Sequence, residues 1–504
     1  MNVNRTVLPT QSAPALSETH SSSYHPHAGS ANPISGAVHE DSTQSDADHH
    51  DLSHGIHNIP EYPAKRTASA LDSTSSGAPH EGSHEAGWCA PFVRLYRNLI
   101  PYGGVASGTF SLCSVTLGGG IISMPSSFAS SGIIMAMIYL VVVTILTIYT
   151  MTLMGYAMEK TGLRNYEEMG RSFFGKWGGY FTGGIMALSC VGTAIGYISA
   201  ADSLVNPMLQ KSSHTSEYFK TSNGNHLVTT FIWLLLMLPV VIPKRVNSIR
   251  YVSSIGVTMV MYFVLTIVIH SITNGMKLGM RDDMEYFTTG NKAIYGLSIF
   301  VFAYMCQGPA YSIYFEMKPK PSVKKLTLSS IIGLSICMIF YILAGVFGLF
   351  DFAGETEESV LFNFDPIHEP YVMVAYIGML IKICAAYAMN MIPIRNFLYY
   401  CISWDLDTVP YWKHSVLIVF VSGVMLITGL FIPSVNLAFG LVGSLTGGFV
   451  GFIFPAYFWM YSGNWSLKTV GIWHYLATYT LLVVGVIAIV FGSIATIYAS
   501  FFDS

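Results

Sequence analysis

From about Pro101 onward the chain is a succession of apolar segments, each close to the ~20 residues a helix needs to cross a bilayer. They fall at about 104–127, 133–157, 177–203, 226–243, 251–272, 292–316, 326–350, 371–397, 413–432, 435–460 and 472–499. Charged residues make up only 11% of the 504, and hydrophobic ones 52%, against about 25% charged in an ordinary soluble domain. So little charge cannot coat a water-facing surface of this size, and lipid must solvate most of the chain. Backbone in lipid has to satisfy its own hydrogen bonds. The pattern therefore predicts an all-α polytopic membrane protein of about eleven transmembrane helices, with residues 89–504 as its membrane domain.

Residues 1 to about 88 read differently. They are rich in Ser, His, Ala, Asp and Gly and poor in large apolar side chains. Such a segment cannot bury enough apolar area to offset the entropy of ordering, and is expected to be a disordered tail. It lacks the apolar core of a signal peptide. Ten of the sixteen histidines lie in it, His25, His27, His49, His50, His54 and His57 among them. Metal or pH sensing is one reading of them and a plain polar tail the other; no ligand spacing favours metal. The net charge of −3 and the absence of basic runs give no sign of a nucleic-acid partner, and the seven cysteines show neither metal spacing nor a disulfide framework.

Lys and Arg in short loops set the orientation. Lys160, Arg164, Arg171 and Lys176, then Lys244, Arg245 and Arg250, then Lys318, Lys320, Lys324 and Lys325, then Arg395, Lys413 and Lys468 all fall on one side. The other side holds Lys211, Lys220, Lys277, Arg281 and Lys292, mostly in longer connections, and an acidic loop, DFAGETEESVLFNFDPIHEP. The N-terminus is thus expected in the cytoplasm, and an odd span count puts Ser504 on the opposite side. The sequons at Asn4 and Asn464 then both face the cytoplasm and go unused.

Two segments carry interruptions that a membrane helix should avoid. In SVTLGGGIISMPSSF, Ser114 to Phe128, three glycines precede a proline; in FAYMCQGPAYSIYFEMK, Phe302 to Lys318, Gln307-Gly308-Pro309 falls mid-segment. Gly is costly inside a helix and Pro removes a hydrogen bond. Non-helical backbone survives at membrane depth only where protein buries it or it lines a cavity. Breaks in the first and sixth segments suggest an inverted five-plus-five repeat with an extra eleventh helix, the arrangement that points to a transporter site.

GGGIISMPSSF resembles the first-span signature of the amino acid/auxin permease family, and FAYMCQGPAYSIYFEMKPK its sixth-span signature. MIPIRNFL, Met391 to Leu398, resembles the Pro-x-Arg ending of its eighth span. Within that family the long tail and the motif wording are most similar to the kinetoplastid amino acid permeases. The resemblance implies the fold shared with the bacterial leucine transporter, carriage of amino acids by alternating access, and no cofactor.

The residues agree with that chemistry. A zwitterion needs donors for its carboxylate and acceptors for its ammonium. The amides of Gly118, Gly119 and Gly120, with Ile121 at the start of the next half-helix, offer donors and a positive dipole end. Thr116, by carbonyl and hydroxyl, and the carbonyls of Phe302 and Ala303 offer acceptors. Ser189, Thr193, Cys306, Gln307 and Asn390 are candidates to face the substrate side chain, although helix–helix hydrogen bonding also explains polar residues there.

Lys382, in MLIKICAAYAMNM, lies well inside the eighth segment, where a charge is a functional candidate by default. In sodium-coupled members of the resembled family, eighth-span hydroxyls help hold the ion; counting back from Pro393 and Arg395, this chain has Cys384, Ala385 and Ala386 instead. The Lys382 ammonium can stand in for the cation, which argues for sodium independence and either proton coupling or facilitated transport; snorkelling to the headgroups or a structural pairing is the alternative. Glu316 reads as a gate or structural ion pair, and Asp202 as an interfacial carboxylate that can attract a cationic substrate. The expected partners are an amino acid, lipid and protons. No hydrolytic or metal-binding constellation lies within the segments, so an enzyme is not expected. A secondary transporter of the plasma membrane is the leading reading, with an acidic organelle as the other site and an amino acid sensor of the same fold as the alternative function.

Overall fold

In the computed structural model, residues 103–213, 215–244, 249–278, 284–463 and 465–502 are described. The expected tail and both sequons lie outside them. Among the described residues there are helices and no strands. Among the same residues, nine helices are long and apolar enough to cross a membrane, and one bent pair makes ten.

The pair is α1 (Val105–Thr116), then a 3-10 turn, Gly119–Ser123, and α2 (Met124–Ser131), with a bend of 54°. The helices that follow are α3 (Ile133–Thr161), α4 (Tyr166–Lys211, interrupted at the non-helical Gly175), α5 (Ser222–Val241) and α6 (Ile249–Thr273). The sixth expected segment is split into α7 (Asn291–Ala303) and α8 (Ala310–Phe315). At 1.5 Å per residue α7 is roughly 20 Å long, short of the ~30 Å hydrocarbon core, so it cannot cross alone. The chain continues as α9 (Val323–Phe352), α10 (Pro370–Ile402), α11 (Tyr411–Phe431), α12 (Val435–Tyr461) and α13 (Ile472–Phe501).

Connections pair up at two ends. At the basic end Lys318 N donates to Gly103 O at 3.0 Å, and Lys244 Nζ to Val409 O at 2.6 Å. Arg395 Nη1, the arginine of the Pro-x-Arg motif, donates to Lys244 O at 2.9 Å. At the other end the acidic connection lies over α2 and α12: Ser126 Oγ and Asn436 Nδ2 donate to Glu358 O at 2.9 and 3.0 Å.

With lipid as apolar as leucine, packing here relies on close approach and polar contacts rather than water exclusion. A Cβ on Gly443 of α12 would fall 2.0 Å from Ser298 O of α7, and one on Gly345 of α9 2.3 Å from the Phe128 ring of α2. Trp233 Nε1 donates to Ser422 Oγ at 3.0 Å, and Tyr387 OH lies 2.6 Å from the same oxygen, tying α5, α10 and α11.

Candidate functional site

The two breaks face each other in the interior. At the first, Leu117 N still reaches Cys113 O at 2.8 Å, but Gly118 N turns back to Thr116 O at 2.8 Å and ends α1. Pro125 occupies the first turn of α2, where its missing N–H costs nothing. The glycines end one half-helix and the proline starts the other. At the second, Met305 N donates to Phe302 O and Cys306 N to Tyr304 O, at 3.0 and 2.9 Å; the chain then runs irregularly to Pro309, which caps α8.

Between the breaks and the flanking helices α4, α10 and α12 lies a cavity of about 140 Å³. That is room for on the order of ten water-sized groups, the bulk of one amino acid. Tyr197, Phe302 and Phe439 form an aromatic group at its end remote from the basic loops. Phe302 and Phe439 stack with centroids 4.1 Å apart, and Tyr197 meets Phe439 edge-on at 6.2 Å. From there the lining descends α4 through Thr193, Ser189 and Met186, and α10 from Lys382 through Asn390 to Pro393, toward the basic end. On α10 that is eleven residues, roughly 16 Å of helix.

A broken helix leaves carbonyls without intrahelical donors. Two side chains take up carbonyls at these breaks. Lys382 is buried at 3% exposure, against Gly256 of α6, and its Nζ donates to Ser114 O at 2.6 Å. It does not snorkel. Tyr341 of α9, fully buried, has its hydroxyl 2.6 Å from Thr116 O and 2.9 Å from Ala303 O. With one proton it serves the two carbonyls in turn, and it links the C-terminal ends of α1 and α7.

Thr116, Gly118, Gly119, Gly120, Thr193, Phe302, Ala303, Gln307, Asn390, Lys382 and Ser189 all line the cavity. Three sequence candidates do not. Ile121 is wholly buried in the core, on the far side of the 3-10 turn; Cys306 is fully buried behind Thr116; Glu316 sits beyond the end of α8. Two expected contacts are already used: the Gly118 N–H is spent on Thr116 O, and that carbonyl accepts from Tyr341 as well. Thr116 Oγ1 and Gln307 Oε1, by contrast, are buried without a hydrogen-bond partner. Asp202 does not reach the cavity; its oxygens accept from Asn225 Nδ2 and Thr229 Oγ1 of α5 at 2.8 and 2.9 Å.

Sequence reasoning missed Tyr197, Tyr341, Met186, Met305 and Met389. The Tyr197 hydroxyl lies against the Gly119 amide, and the three methionines supply most of the thioether surface. No local signal separates these side chains from packing residues.

An all-helical membrane bundle with two facing helix breaks around an amino-acid-sized cavity is the setting for the comparison with known proteins. Residues 102–498 match the model of the family described as transmembrane amino acid transporter protein. That match spans all but the last four described residues, and the chain belongs to this family of transmembrane amino acid transporters.

Proposed function

We propose that the protein is a secondary transporter that carries an amino acid through the cavity by alternating access, without sodium. The observation that carries this reading is the pairing of two broken helices across one buried cavity, with its remaining donors and acceptors at the breaks. The carboxylate meets the amides of Gly119 and Gly120 and the Tyr197 hydroxyl, at the positive end of the following half-helix. The ammonium meets Thr116 Oγ1 and the Phe302–Ala303 carbonyl end, where it shares acceptors with Met305 N and the Tyr341 hydroxyl. The aromatic group closes one side while the lining runs toward the basic end, which corresponds to a state facing the cytoplasm if the basic loops are inside. Glu316 belongs to the gate: its segment docks on Gly103 through Lys318, so the basic ends of both broken helices move together. The fold is read as two inverted five-helix repeats plus α13.

Sodium independence rests on Lys382 and Tyr341. Each donates to carbonyls at the breaks, the positions where a cation would seek ligands. With Lys382 as an ammonium, at an effective ε near 20, a second unit charge 4 Å away costs about 4 kcal/mol, on the order of a thousandfold in affinity. The test is uptake into proteoliposomes of purified protein with external sodium replaced by choline, at fixed pH and membrane potential. Uptake should persist, and an inward proton gradient should raise it or leave it unchanged. Collapse in choline contradicts the proposal. A sensor of the same fold would bind amino acid and accumulate none.

A further inference from the structure

We propose that the cavity selects amino acids with uncharged side chains of small to medium size and excludes lysine and arginine; this rests on the reading of the cavity as the amino acid site. Its lining holds a single charged side chain, Lys382, and no Asp or Glu among the described residues. A guanidinium or ammonium carried into a buried site needs a fixed counter-charge. Here it would find none and would share the space with the Lys382 amine.

The carboxylates nearest in the fold do not supply one. Asp202, on the same helix as Thr193 and Tyr197, has both oxygens committed to α5. Glu167 is close enough for its charge to act on Cys190 of the lining, but it packs against Gly183 toward the basic end and is not itself in the lining. Glu316 lies past α8.

What the cavity does offer suits neutral side chains. Gln307 is 2% exposed, and its Oε1 has no partner; its Nε2 is 3.5 Å from Thr150 Oγ1. A buried acceptor left open is costly, and rotation of the Gln307 amide to the cavity face lets a substrate N–H or O–H fill it. Asn390 Nδ2 spends one N–H on Ala386 O at 2.9 Å and keeps its second N–H and its Oδ1 for a neutral polar side chain. Met186, Met305 and Met389 give an adaptable thioether wall for aliphatic groups. Room for on the order of ten water-sized groups suits side chains up to the length of glutamine or methionine.

The test is counterflow in proteoliposomes of the full chain, with radiolabelled L-alanine, L-glutamine, L-methionine, L-lysine and L-arginine as probes. At least one neutral probe should exchange more than roughly tenfold faster than lysine or arginine, a difference of about 1.4 kcal/mol. Unlabelled lysine or arginine in excess should leave that exchange intact. The variant Asn390→Asp adds a carboxylate to the lining and should raise lysine exchange relative to alanine. Lysine or arginine exchanging as fast as the neutral probes in the wild type overturns the selectivity while leaving the amino acid site standing. Exchange of no amino acid at all overturns both.

Discussion

Gly119 is the residue most exposed to test. A Cβ there would lie 2.7 Å from Tyr197 Cε1 and 2.9 Å from Phe439 Cζ, whereas one on Gly120 would lie 3.1 Å from Ala303 Cβ. Gly119→Val therefore cannot fit without displacing two rings of the aromatic group, and its branched side chain also resists the tight turn. Uptake per surface copy should be abolished in Gly119→Val and only reduced in Gly120→Ala; normal uptake by the valine variant would remove Gly119 from the site. Lys382→Ala removes the donor to Ser114 O and takes away the amine, so the pH profile of uptake should change and a sodium response should emerge. A variant with wild-type pH dependence and no sodium response would make Lys382 a packing residue. At this scale the sequence is legible where Gly and Pro punctuate it, since few residues tolerate such backbone. Tyr197 and Tyr341 carry no such mark. They are two of thirty tyrosines, and only tertiary placement distinguishes a hydroxyl aimed at a break from one that fills a gap between helices.

Helices show a different kind of miss. The third segment, expected at 177–203, runs on to Lys211 and is preceded, across the non-helical Gly175 with φ +74°, by a short amphipathic helix from Tyr166. Asn165 caps its start, accepting from Glu168 N at 2.8 Å. That Asn-x-x-Glu pattern is a helix-start signal, but a search for apolar runs passes over an amphipathic first turn. The other long helices sit within a few residues of expectation, because bilayer thickness dictates their length. The α4–α5 contact through Asp202 gives a prediction about stability rather than transport. Asp202→Ala leaves the buried Asn225 and Thr229 donors unpaired, a cost of about 1–3 kcal/mol. The melting temperature in detergent should fall while KM for the substrate holds. A changed KM at unchanged stability would return Asp202 to the site.

For the whole molecule, the family match begins at residue 102 and every lining residue falls between Ser114 and Val450. Deleting residues 1–85 should therefore leave uptake per surface copy unchanged; loss of uptake would assign that segment a regulatory role. The account's central claim is that the cavity between the two broken helices moves an amino acid across the membrane rather than only holding it. Counterflow by the wild-type protein tests this most directly. Proteoliposomes preloaded with unlabelled neutral amino acid and diluted into trace label should transiently accumulate label above the external concentration, far beyond one molecule per protein. Label that saturates at one per protein, with no dependence on preloading, would contradict the account and make the protein a receptor.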